Sequence, residues 1–104
     1  MKENKEQLAR IRRMERRLNA ATAAVKRLTA ALDKWESAQE AIAALDNYYG
    51  SELWKQDFAD DEAGLLPATL NRGVLSEDAL WDLLTDVRAL NSRLGQYVQQ
   101  VTPD

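Results

Sequence analysis

From Ile11 onward, apolar residues recur in alternating steps of three and four: Ile11, Met14, Leu18, Ala21, Val25, Leu28, Leu32, Trp35, Ile42 and Tyr49. Gln39 occupies the one position of this series between Trp35 and Ile42. Such spacing aligns the side chains on one face of an α-helix, and when sustained over several heptads it is a coiled-coil seam. No Gly or Pro occurs between Met1 and Tyr49, and strong helix formers fill most of the stretch. The pattern predicts one helix from about Glu3 to Asn47, on the order of 65 Å long at ~1.5 Å rise per residue. From Trp35 the stripe widens, because Ala38 and Leu45 add a second apolar row. The second half of the helix is therefore expected to face a core.

Gly50 suits the residue after a helix end, and Ser51 suits the N-cap of a second helix expected over Ser51–Ala63. Leu53, Trp54 and Phe58 are its expected buried residues, with Asp57, Asp60, Asp61 and Glu62 on the wet side. Gly64 stops it; Pro67 can open a helical turn through Leu70 before Gly73 breaks the chain. Ser76, followed by Glu77 and Asp78, combines a cap with acids that complement the helix dipole. It starts a last helix expected to reach Val101, ahead of Pro103, with the seam Leu80, Leu83, Val87, Leu90, Leu94, Tyr97 and Val101. Leu84 and Val98 broaden that seam, and Gly95 lies off it.

The expected fold is a single all-α domain. The long helix folds back against the C-terminal helix as an antiparallel, coiled-coil-like hairpin, with a short helical segment packed at the connecting end. Its parts are a projecting basic arm (1–20), a helical spine (21–47), a short-helix and loop segment (48–75) and the C-terminal helix (76–101). The last helix reaches back only to about Ala21, which leaves Ile11, Met14 and Leu18 without an intrachain partner. A bare stripe of this kind predicts a homodimer, helped by the small residues Ala20, Ala21, Ala23, Ala24, Ala30 and Ala31. A frayed, monomeric N-terminus is the alternative, and the pattern leaves open whether two copies run parallel or antiparallel.

Charge adds polarity to this picture. Residues 1–17 hold seven Lys or Arg against three Glu, and residues 46–82 hold nine Asp or Glu against two basic residues, although the net charge of the whole chain is only -3. The basic arm of one copy is thus suited to the acidic middle of another protein, including a second copy. Cysteine is absent, so thiolate chemistry and disulfides are excluded and a reducing compartment is permitted. Histidine is absent too, which removes the commonest general acid-base and transition-metal ligand and argues against an enzyme. The longest apolar run, Ala41 to Leu45, is far too short for a bilayer, and no apolar leader follows the charged N-terminus, so a cytoplasmic protein is expected.

Three chemical alternatives arise from particular residues. Asp57, Asp60 and Asp61 recur at helical spacing and offer oxygen ligands to Mg²⁺ or Ca²⁺, yet no EF-hand order is present and a solvated acidic face accounts for them. With Glu36, Glu40, Glu77 and Asp82, they support a third-ranked reading as a small Mg²⁺-dependent hydrolase. Arg10, Arg12, Arg13, Arg16 and Arg17 can contact an acidic partner or a polyanion, which makes nucleic-acid binding the second reading; no nearby aromatic residue offers base stacking. Trp35, Trp54, Phe58, Trp81, Tyr48 and Tyr49 are read as core rather than as a ligand pocket. No catalytic residue and no cofactor is assigned, and the leading expectation is a non-enzymatic, self-associating interaction module.

The run from Tyr48 to Phe58 (Tyr-Tyr-Gly-Ser-Glu-Leu-Trp-Lys-Gln-Asp-Phe), then Gly64-Leu-Leu-Pro67, Arg72-Gly-Val-Leu-Ser-Glu-Asp78 and Leu83-Leu84, resembles the bacterial domain-of-unknown-function family DUF4298. The Gly-Val-Leu-Ser-Glu-Asp segment is its most specific part, and the long helix upstream is similar in pattern only. The resemblance implies a bacterial cytoplasmic origin and transfers no functional residue.

Overall fold

The computed structural model describes residues 4–102 and contains, in order, α1 (Lys5–Tyr48), α2 (Glu52–Glu62), a 3-10 turn (Gly73–Leu75) and α3 (Glu77–Val101). The all-helical expectation holds, with no strand among the described residues. Glu3 and Pro103, the expected start and stop signals, lie outside the described residues. The chain divides into two compact units, Met1–Gln39 and Glu40–Asp104.

The first unit is the greater part of α1. Asn4 caps it, its Oδ1 accepting from the Gln7 amide at 2.9 Å, so the first turn has a side-chain partner for an amide that the helix itself cannot satisfy. No residue of α1 is buried. The spine residues expected to be covered are open instead: Val25 is 65% exposed, Leu28 54% and Leu32 38%. Polar side chains on this helix turn back onto its own carbonyls, with Thr29 Oγ1 donating to Val25 O, Ser37 Oγ to Asp33 O and Gln39 Nε2 to Trp35 O.

The second unit is built around Trp54, Leu75 and Leu80, against which Leu45, Tyr48, Tyr49, Phe58 and Leu66 pack. Three local signals place these residues. Gly50 takes a left-handed φ of 78°, which turns the chain sharply out of α1. Ser51 Oγ then accepts from the Trp54 amide at 3.2 Å and starts α2. At the other end, Gly64 at φ 73° and the Leu65 amide bond to Asp60 O close α2 in the manner of a Schellman turn. The Trp54 ring meets Tyr49 edge-on at 5.2 Å between centroids and stacks with Phe58 at 5.3 Å. Its indole N–H donates to Val74 O at 2.9 Å, so the largest buried side chain carries no unpaired donor.

Several positions differ from expectation. Leu53 was expected inside but is 72% exposed, because α2 turns the face of Trp54, Asp57, Phe58 and Asp61 inward. Asp57, Asp60 and Asp61, expected to be wet, are half-buried for the same reason. Trp81 is exposed rather than core, one residue beyond the buried Leu80. On α3 the seam residue Leu80 and the flanking Leu84 are buried and Val87 and Leu94 half-buried, while Leu83, Leu90, Tyr97 and Val101 are exposed, so the covered stripe keeps only one side of the expected seam. Pro67 opens a single hydrogen-bonded turn, Leu70 N to Pro67 O at 3.2 Å, and the helical turn falls later, at Gly73–Leu75. Ser76 caps α3 as expected, accepting from the Ala79 amide at 3.3 Å.

Candidate functional site

Two surfaces carry the charged and apolar residues singled out by the sequence. The first is the seam of α1. Ile11, Met14 and Leu18 are about half exposed, and the same row continues uncovered through Val25, Leu28 and Leu32. With Ile11 taken as heptad position a, Arg10 and Arg17 flank the seam at g, while Arg12, Arg13 and Arg16 fall on the outer positions b, c and f. All five are exposed. The long apolar row is therefore edged by cations at its N-terminal end and by small residues, Ala24, Ala31 and Ala38, farther along.

The second surface is the junction around α2. The Tyr48 hydroxyl donates to Asp57 Oδ2 at 2.5 Å, tying the last residue of α1 to the middle of α2. That hydrogen bond, followed by burial and the carboxylate's charge, raises the Tyr48 phenol above its ordinary pKa of 10.0. Asp61 accepts from Arg72 Nε at 2.7 Å, and Arg72 Nη2 also donates to Pro67 O at 3.0 Å, so one guanidinium pins the loop after α2. Asp60 accepts from Gln56 at 2.9 Å. The three aspartates thus have three different partners. No group of three potential metal ligands gathers among the described residues.

Beside the Tyr48–Asp57 pair lies a depression of about 250 Å³, lined by Leu66, Leu70, Asn71, Val74 and Leu75 as well. It is smaller than the ~300–1,000 Å³ typical of small-molecule sites. Of the aromatic residues considered for a pocket, only Tyr48 lines it; Trp54, Tyr49 and Phe58 are engaged in the core. Leu66, Val74 and Leu75 escaped the sequence reading, since nothing in a loop sequence signals which apolar side chain will turn inward. Ser51 and Ser76 both serve as helix caps. No described helix is long and apolar enough to cross a membrane.

The profile of the domain-of-unknown-function family DUF4298 matches residues 11–96, most of the chain. The chain belongs to this family. The matched range opens on the first seam residue, Ile11, and takes in both surfaces, so the seam that resembled DUF4298 in pattern only is within the family's extent. No curated protein and no solved structure matches the chain.

Proposed function

We propose that the protein is a non-enzymatic helical interaction module that self-associates as a homodimer through the seam of α1. The observation that carries this reading is the uncovered row Ile11, Met14, Leu18, Val25, Leu28 and Leu32, at coiled-coil spacing on one continuous helix. Burying each such side chain is worth roughly 1.5–3 kcal/mol, and a contiguous apolar row of this length marks an association surface. A second helix offering the same spacing covers it knob-into-hole. The small buried core supports the same conclusion, because only Trp54, Leu75, Leu80 and Leu84 are buried among the described residues and a chain of this size gains by burying more.

The finer architecture belongs to the same proposal. Leu45 near the end of α1, and Leu84, Val87 and Leu94 on α3, are half-buried or buried, and in this proposal they are the rows through which the two segments pair antiparallel. A cytoplasmic setting accords with the lack of cysteine.

Light scattering coupled to gel filtration tests the function. The wild type is expected to elute as a dimer and both Leu18→Glu and Val25→Glu as folded monomers, with helicity checked by far-UV circular dichroism. A monomeric wild type overturns the proposal. A salt-sensitive shift of mixed-sequence DNA or RNA in a gel, lost when Arg12, Arg13 and Arg16 become Gln, would instead favour the arginine arm as a polyanion site.

A further inference from the structure

We infer that the two copies pair antiparallel through α1, in a register that lays the arginine arm of each beside the acidic end of its partner's helix. This orientation rests on the self-association proposed above and adds which residues meet. With Ile11 at a and Met14 at d, the a positions continue as Leu18, Val25, Leu32 and Gln39, and the d positions as Ala21, Leu28, Trp35 and Ile42. Antiparallel coiled coils face a against d. One register centred between Leu28 and Leu32 pairs the layers from Leu18 to Ile42, namely Leu28 with Leu32, Val25 with Trp35, Ala21 with Gln39, and Leu18 with Ile42, each repeated by the two-fold axis, and the next layer sets Met14 against Asp46.

Size and charge both select this arrangement. Each of the two bulkiest or least apolar seam residues, Trp35 and Gln39, meets a smaller one, Val25 and Ala21, as a close-packed seam requires. A parallel, in-register pair stacks Trp35 on Trp35 and leaves Ala21 facing Ala21, overfilling one layer and emptying another. The g positions flanking the antiparallel seam become Ala24 against Ala38 and Ala31 against itself, which permits close approach of the helices. Beyond Leu18, Arg10 and Arg17 run beside the partner's residues 43–50, where Asp46 is exposed and the acidic stretch begins. A parallel pair sets two basic arms side by side instead, since residues 1–17 carry seven Lys or Arg against three Glu.

The chain has no cysteine, so single cysteines report the orientation directly. Ala31→Cys alone is expected to form a disulfide-linked dimer under mild oxidation. Ala24→Cys and Ala38→Cys are each expected to cross-link poorly alone and severalfold better when the two variants are unfolded together and refolded as a mixture. Wild-type dimerisation is expected to weaken severalfold as NaCl is raised from low to high concentration, because the arm-to-acid contacts are screened. Dimers that cross-link through Ala21→Cys but not Ala31→Cys, or that tighten with salt, overturn the antiparallel register and leave self-association standing. Light scattering that finds only monomer for the wild type overturns both.

Discussion

The Tyr48 hydroxyl donates a 2.5 Å hydrogen bond to Asp57, and through it the last residue of α1 is held against the centre of α2. The pair is nine residues apart in sequence and spans the Gly50 turn, so it locks the direction in which the chain leaves the long helix. Removing the donor by Tyr48→Phe is expected to lower stability by about 0.5–1.5 kcal/mol, near the lower end because the site is partly solvated. The pH dependence has a definite sign. Folding raises the Tyr48 pKa, so its contribution is complete below pH 10 and is lost as pH rises through the folded value. Urea titrations of wild type and Tyr48→Phe should therefore converge above pH 10; a constant gap would show that the hydrogen bond does not respond to ionisation.

Trp54 is the centre of the small core, 7% exposed and bonded through its indole to Val74 O. Trp54→Phe keeps much of the apolar area but strands the Val74 carbonyl, with an expected loss of about 1–3 kcal/mol. Trp54→Ala also leaves a cavity and should cost about 3–5 kcal/mol, enough to unfold this unit. Near-UV circular dichroism would report the loss of fixed aromatic packing. An unchanged spectrum and midpoint in Trp54→Ala would mean that the core is centred elsewhere.

Arg72 joins Asp61 on α2 to the carbonyl of Pro67 in the following loop. The ion pair is part-exposed, so its electrostatic worth is modest, and Arg72→Ala is expected to cost about 1 kcal/mol. Its larger effect should be local. Amides over 65–72 are expected to exchange with solvent faster, while those of α3 beyond Leu84 keep their wild-type rates. Uniform acceleration across both segments would contradict a loop-specific role.

Two glycines make opposite predictions for the same substitution. Gly50 sits at φ 78° with open space around a would-be Cβ, so Gly50→Ala is penalised by backbone conformation alone, by about 1 kcal/mol. Gly95 lies inside α3 with equally open surroundings, and Gly95→Ala should stabilise by about 0.5–1 kcal/mol through helix propensity. Thermal melts of the two variants should move in opposite directions from the wild type. A common direction would show that the backbone conformations differ from those described.

Local chemistry made the helices legible from sequence. The glycine-free stretch before Gly50, the caps Ser51 and Ser76, and the stop at Gly64 specify the helix boundaries to within one or two residues, because each acts through hydrogen bonds and dihedral angles within a few residues of itself. Asn4 could have been found the same way, as an Asn ahead of a helix-forming run. What the periodicity could not determine was which apolar face would be covered. Spacing places Leu53 and Trp54, or Leu83 and Leu84, on neighbouring faces with similar claims to burial, and only contact with a third element chooses between them. Trp54 won because its indole found the Val74 carbonyl across the loop, and that rotation carried Asp57 and Asp61 inward to Tyr48 and Arg72. The sequence by itself therefore determined the three helices, their ends and the long seam, whereas the tertiary structure decided the orientation of α2 and left the seam of α1 uncovered. Capping and propensity are local, but burial depends on partners that no window of sequence contains.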